Sequence, residues 1–157
     1  MMSDKYDSLK LNNQLCFPIY AVAKEIIRHY TKPLGEIDLT YTQYITMMVL
    51  WERGKVSVRE LGEALYLDSG TLTPLLKKLE AKGLVTRRRS RDDERMIEVT
   101  LTTEGDELRD KALDVPKYMT CQVALSPEEA KTLYDILYKL LGELTFSKSS
   151  GGGNDNI

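Results

Sequence analysis

The spacing of apolar residues changes character along the chain, and each change marks an element. Between residues 9 and 33, Leu11, Leu15, Ile19, Ala23, Ile26, Ile27 and Tyr30 recur at mostly helical intervals. Asn12 or Asn13 offers a cap, and Pro18 predicts either a kink or a fresh helix start with the proline in its first turn. A second helix is predicted from about Thr42 to Arg53, ended by Gly54, and Ser57 caps a third over 58–66 with Leu61 and Leu65 facing inward. Leu67-Asp68-Ser69-Gly70 reads as a turn in which Asp68 or Ser69 caps the next helix, which runs to about Lys82 and stops at Gly83. The pattern then turns to strands, Leu84 to Arg89 and Met96 to Leu101, around a polar tip at 90–95. Thr103 opens a long fifth helix that Pro116 kinks. Ser126-Pro127-Glu128-Glu129 starts the last helix with a cap, a first-position proline and a glutamate three residues after the cap.

This order predicts a mainly α fold with a small β-ribbon, a winged helix-turn-helix with helices on both sides. A single domain over residues 1–146 is expected, with a lobe at about 40–103 between flanking helices at 9–33 and 103–145. The flanks carry apolar stripes that one small domain does not fully cover. Leu133, Ile136, Leu137, Leu140, Leu141 and Leu144 form one in the final helix. It suits packing on the chain's own first helix or, the reading favoured here, a homodimer interface. The tail SKSSGGGNDNI, residues 147–157, is low-complexity and expected to be disordered.

Composition narrows the chemistry. With 157 residues, 42% hydrophobic and 29% charged, the chain is ordinary for a globular protein. The longest purely apolar run, Met47 to Trp51, is far below the roughly 20 residues of a membrane span. The first ten residues hold no apolar leader stretch. Two cysteines, Cys16 and Cys121, are too few for a disulfide scaffold, so a reduced, cytoplasmic protein is expected. A lone histidine, His29, gives zinc sites and histidine catalysis little to build on, and no metal or cofactor is expected.

The net charge of −2 hides a basic segment of +3 over residues 77–103. Ser69, Thr71 and Thr73 crowd the start of the fourth helix, with Lys77 and Lys78 further along. Small hydroxyl residues at a helix N-terminus suit base edges or phosphates in a major groove, and lysines one or two turns on suit the backbone. The bland alternative is a cap and a solvated face. The ribbon shifts the balance, because Arg87, Arg88, Arg89, Arg91 and Arg95 fall within nine positions. An arginine at a wing tip has the reach for a minor groove, and Asp93 stands two residues before Arg95, where it can brace that side chain. Double-stranded DNA is the expected partner. Cys16, from position alone, is either a small buried apolar residue or a thiol activated by a helix N-terminus.

Residues 93–105, DERMIEVTLTTEG, resemble the D-x-R-x-x-x-V-x-L-T-x-x-G wing signature of MarR-family transcription regulators, and LYLDSGTLTPLLKKLEAKGLVTR at 65–87 resembles their recognition-helix region. The resemblance covers about residues 9–145. It implies a dimeric repressor whose two recognition helices enter successive major grooves of a near-palindromic operator, with both terminal helices of each chain in the dimer interface.

LNNQLCFPIYA at 11–21, Tyr30 and LTYTQYITMMVLWE at 39–52 resemble the organic-hydroperoxide-sensing branch, OhrR. That resemblance implies that Cys16 is the peroxide-reactive thiol and that Tyr30 and Tyr41 of the partner chain hydrogen-bond it. Cys16 and Tyr30 stand 14 residues apart, about 21 Å along one helix, which suits a pocket shared between chains. Val115-Pro116-Lys117-Tyr118-Met119-Thr120-Cys121 resembles the two-cysteine type, in which the second thiol resolves the oxidised first one. A free structural cysteine is the alternative. The resulting expectation is a repressor, not an enzyme, released from its operator by organic hydroperoxide. Its rivals are a MarR-type regulator released by a phenolic ligand or a broader oxidant, and, more distantly, a thiol peroxidase.

Overall fold

The computed structural model describes residues 5–150, with side chains as far as Thr145. Contacts group the chain into two compact units, residues 1–122 and 123–157, a division that falls inside the stretch expected to form one domain.

The first unit opens with two short 3-10 turns, Asp7–Leu9 and Leu11–Asn13, and then helix α1, Cys16–Gly35. Pro18 sits in the first turn of α1, where its missing N–H costs nothing, so the helix begins afresh rather than kinking. Asn12 and Asn13 do not cap it. The residue before α1 is Leu15, with no side-chain cap, and Asn13 instead donates to the Asp7 carbonyl. Helix α2, Tyr41–Arg53, starts at a capping box in which Thr40 accepts from Gln43 N–H and Gln43 returns the bond to Thr40 N–H. Gly54, at φ 74°, ends it.

Strand β1, Lys55–Ser57, was not legible in the alternation because it is three residues long. Ser57 ends it and simultaneously caps helix α3, Val58–Leu65, through a second capping box with Glu60. Helix α4, Ser69–Ala81, follows, and β2, Val85–Arg89, and β3, Ile97–Leu101, form the ribbon. The sheet runs β1-β3-β2, all antiparallel, with Arg87 opposite Val99 and Val56 opposite Val99 on the other side. Each helix turns an apolar face to one core, in which Met47, Leu50, Leu61, Leu72, Leu76, Leu79, Val85 and Val99 are at most 1% exposed. Burying each of these aliphatic side chains contributes about 1.5–3 kcal/mol.

The long fifth helix is two helices, α5 Thr103–Ala112 and α6 Asp114–Thr120, broken at Leu113. Pro116 lies in the first turn of α6, so the interruption falls just before it, where the ring excludes a continuing backbone bond. α1 packs against α2 and α6.

The second unit holds α7, Pro127–Ser150. Ser126 accepts from Glu129 N–H at 3.2 Å and Glu129 accepts from Ser126 N–H at 2.9 Å, the box anticipated from sequence. The helix continues through residues 147–150, expected to belong to a disordered tail. The remainder of that tail, 151–157, lies outside the described residues.

Candidate nucleic-acid interface and thiol site

α4 divides cleanly. Leu72, Leu75, Leu76 and Leu79 are buried, whereas Ser69, Thr71, Thr73, Lys77 and Lys78 are all exposed. Asp68, not Ser69, is the cap. Its carboxylate accepts from Thr71 N–H at 2.7 Å, and that bond holds the carboxyl below its ordinary range. Ser69 is thereby released to the first helical position with its hydroxyl outward. Thr73 donates to the Ser69 carbonyl at 2.8 Å, which fixes its rotamer and leaves its oxygen able to accept.

The wing tip is held from within. Ser90 is buried at 4% exposure; its N–H donates to the Met96 carbonyl and its hydroxyl to Glu98 at 3.1 Å. Glu98 also accepts from Lys55 Nζ at 3.1 Å, and these two donors lower its carboxyl. Asp93 does not brace the Arg95 side chain. It accepts from the Arg95 backbone N–H at 2.9 Å and so fixes the chain at the tip rather than the guanidinium. Arg88, Arg89, Arg91 and Arg95 are exposed and, among the described residues, enter no ion pair.

Arg87 departs from the sequence expectation. Its guanidinium is engaged by Glu80 of α4, with Nη2 2.6 Å and Nε 3.0 Å from Oε2, and its side chain is 22% exposed. Sequence reading had grouped it with the free wing arginines. Ser90, Glu98, Lys55 and Glu80 had not been singled out, because an acid seven residues from an arginine across a glycine turn carries no periodic signal.

Cys16 is the first residue of α1, with a free, exposed thiol, and Cys121 caps α6, also free and exposed. The segment entering α1 lines a surface cavity of about 540 Å³, bounded by Leu11, Asn12, Asn13, Gln14, Leu15, Phe17 and Pro18. Tyr30 and Tyr41 meet at the other end of the helix. Their ring centroids lie 4.9 Å apart, tilted by 54°, and Tyr44 continues the stack 6.0 Å from Tyr30. Burial is the main cause that raises both phenols above their ordinary pKa, with the neighbouring Tyr41 adding to the effect on Tyr30. They remain protonated donors at neutral pH. The chain therefore brings the two tyrosines together with each other but not with Cys16.

Among the described residues no cluster of side chains suits a metal ion, and no helix is long and apolar enough to cross a membrane. An outward-facing helix after a tight turn, beside an arginine-tipped ribbon, defines a winged helix-turn-helix regulator. Comparison with known proteins agrees. The family model for the transcriptional regulator SarA/Rot matches residues 28–112. The organic hydroperoxide resistance transcriptional regulator of Bacillus subtilis (strain 168) is 45% identical over 143 residues, 91% of this chain and 97% of that one. Reduced AbfR bound to DNA superposes with a TM-score of 0.74 at 33% identity, over 90% of this chain and 99% of that chain; AbfR is a protein of Staphylococcus epidermidis. Disulfide-formed AbfR gives 0.60 at 34% identity, over 90% and 96%. A mutant MarR of E. coli in complex with operator DNA gives 0.74 at 27%, over 88% and 99%. The chain belongs to the MarR-type winged-helix transcriptional regulators of the SarA/Rot family, in the branch of the organic hydroperoxide resistance regulators. These relatives and fold neighbours are transcriptional regulators, not enzymes.

Proposed function

We propose that the protein is a homodimeric repressor that binds a near-palindromic operator when Cys16 is reduced and leaves it when an organic hydroperoxide oxidises Cys16. The observation that carries the reading is the placement of an exposed thiol at the start of α1 and a half-buried tyrosine pair, Tyr30 of α1 and Tyr41 of α2, toward its other end. Two such helices crossing antiparallel would bring the Cys16 of each chain to Tyr30 and Tyr41 of the other. Both phenols would then donate to the thiolate, stabilising the reactive form.

The DNA contacts of this reading are Ser69, Thr71 and Thr73 toward base edges or phosphates, Lys77 and Lys78 toward the backbone, and Arg91 and Arg95 at the wing. Asp93 keeps the tip in shape. The dimer follows from apolar surface that a solitary chain leaves in water. At the start of α1 and within it this includes Leu15, Tyr20 and Val22, and in α7 it includes Ile136, Tyr138 and Leu144, each more than 50% exposed.

The chemistry balances in two steps. The Cys16 thiolate attacks the outer peroxide oxygen, the O–O bond breaks, and an alcohol leaves as the sulfur becomes a sulfenic acid. The Cys121 thiol of the other chain then attacks that sulfur, the S–O bond breaks, and water leaves as the disulfide forms. The break between α5 and α6 at Leu113 is where such a pairing would bend the chain. Support also comes from the likeness to AbfR, a protein solved both reduced on DNA and with a disulfide formed.

The test is affinity for the duplex upstream of the protein's own gene, before and after one equivalent of cumene hydroperoxide and again after dithiothreitol. Binding lost on oxidation and restored by the reductant is expected. Tight binding indifferent to peroxide would leave a regulator of another signal, for which a phenolic ligand is the first candidate.

A further inference from the structure

We infer that Arg87 and Glu80 form the positioning link that sets the wing against the recognition helix, so that the tip and the start of α4 engage one duplex together. The inference rests on the DNA-binding reading above. Glu80 stands in the last turn of α4 and Arg87 at the centre of β2, with Gly83 at φ 73° in the connection between them. The grip is threefold. One carboxylate oxygen accepts from the Arg87 backbone N–H at 3.2 Å, and the other accepts from both Nε and Nη2 of the same residue. Main chain and side chain of the strand are thus tied to the helix by a single group, with the planar fork that arginine offers and lysine lacks.

The location gives the link its leverage. Val85, Arg87 and Arg89 share one face of β2, which passes from buried through half-buried to exposed. Arg87 is where that face leaves the core. Among the described residues, no other ion pair or side-chain hydrogen bond joins α4 to the ribbon. Everything beyond it, including Arg91 and Arg95, is carried by the ribbon's own ladder and by the Ser90–Glu98–Lys55 bonds where the tip begins. For Arg87 to reach a phosphate it would have to abandon a half-buried carboxylate. Its effect on DNA is therefore exerted through placement.

Charge and placement predict opposite outcomes for Glu80→Gln. Removing a negative charge near DNA strengthens binding if charge alone counts, and weakens it if the link matters. The experiment measures affinity of the reduced protein for the duplex upstream of its own gene and for a random-sequence duplex, over a range of KCl. The proteins compared are wild type, Arg87→Lys, Arg87→Ala, Glu80→Gln, Arg95→Ala and the Arg87→Ala/Arg95→Ala double variant.

Both Glu80→Gln and Arg87→Ala should lose about tenfold for the upstream duplex, with Arg87→Lys between them and wild type. The slope of log affinity against log salt should fall by about 0.9 for Arg95→Ala, by no more than that for the Glu80 and Arg87 variants, and no further for the double variant, because all lose the same wing contact. The double variant should lose less than the product of the two single losses, because a misplaced wing has already surrendered the Arg95 contact. Urea midpoints taken in parallel identify any variant that has lost its fold; Glu80→Gln and Arg87→Lys, which conserve shape, carry the test in that event. Unchanged or tighter binding by Glu80→Gln, with a slope in the double variant reduced by about twice the Arg95→Ala change, would overturn the proposal and make Arg87 a phosphate contact. Wild-type binding to neither duplex would bring down the DNA-binding reading, and this one with it.

Discussion

The indole N–H of Trp51 donates to the carbonyl of Gly105 at 2.8 Å, joining α2 to the first turn of α5 across 54 positions of sequence. The N–H of the same glycine donates to the hydroxyl of Thr102 at 3.0 Å, and that hydroxyl donates in turn to the carbonyl of Gly83 at 2.6 Å. The exit of α4, the end of the ribbon and the start of α5 are therefore fastened around one buried glycine.

That point has no spare room. A Cβ on Gly105 would stand 2.0 Å from the Leu84 carbonyl oxygen and 3.2 Å from Leu101 Cδ2. The first neighbour is backbone and cannot swing aside. Gly105→Ala should lower stability by about 3 kcal/mol or more, read as a lower urea midpoint at unchanged m. A loss below about 1 kcal/mol would mean that the α5 N-terminus shifts more freely than its hydrogen bonds imply.

The two thiols should separate by role. Cys16→Ser is expected to keep operator affinity and abolish release by cumene hydroperoxide. Cys121→Ser should still form a sulfenic acid at Cys16, trapped by dimedone, but give no crosslinked dimer on a non-reducing gel. Continued release in Cys16→Ser would remove Cys16 as the sensor, and a crosslink in Cys121→Ser would remove Cys121 as its partner.

The two units of fold and site were not equally legible from sequence. The cap at Ser57, the box at Ser126–Glu129 and the stop at Gly83 were readable because each is a local rule, satisfied within three or four residues. So was the inward face of α4, since a leucine stripe survives any tertiary context. β1 escaped because three residues cannot display an alternation, and the sheet edge it supplies depends on β3, more than forty residues on. The fate of Arg87 escaped for a different reason. Whether an arginine faces solvent or a carboxylate is decided by where a glycine turn delivers the next strand, and sequence spacing does not record that. Cys16, Tyr30 and Tyr41 were named on resemblance alone, and one chain brings together only the tyrosines.

Acid should weaken the fold through its caps and links. The carboxyls of Asp68, Glu60, Glu80 and Glu98 are held below their ordinary values, by the backbone N–H of Thr71, the backbone N–H of Ser57, Arg87 and Lys55 respectively. A carboxyl depressed in the folded state adds stability above its unfolded pKa, and that stability disappears as pH falls through the folded value. The urea midpoint should therefore be level above about pH 5 and decline below about pH 4. Glu98→Gln should flatten part of that decline, and an unaltered profile would mean that the Lys55 and Ser90 bonds do not persist in solution.

Assembly should depend on the apolar face of α7. Leu137 and Leu144 are 40% and 68% exposed, and glutamate at both positions would place charge in any interface built there. Sedimentation at micromolar concentration should find a dimer for the wild type and a monomer for the double variant, with operator affinity falling as the second half-site is lost. A dimeric double variant would move the interface elsewhere.

The separation of Cys16 from Tyr30 by the length of one rigid helix has a genetic consequence. In the crossed arrangement proposed above, a chain carrying Cys16→Ser and a chain carrying Tyr30→Phe are each deaf as homodimers. Mixed together, they build one pocket with both defects and one with neither. Co-expression of two inactive alleles should then restore peroxide response to the mixed dimers, a complementation that no sensor contained within a single chain can produce.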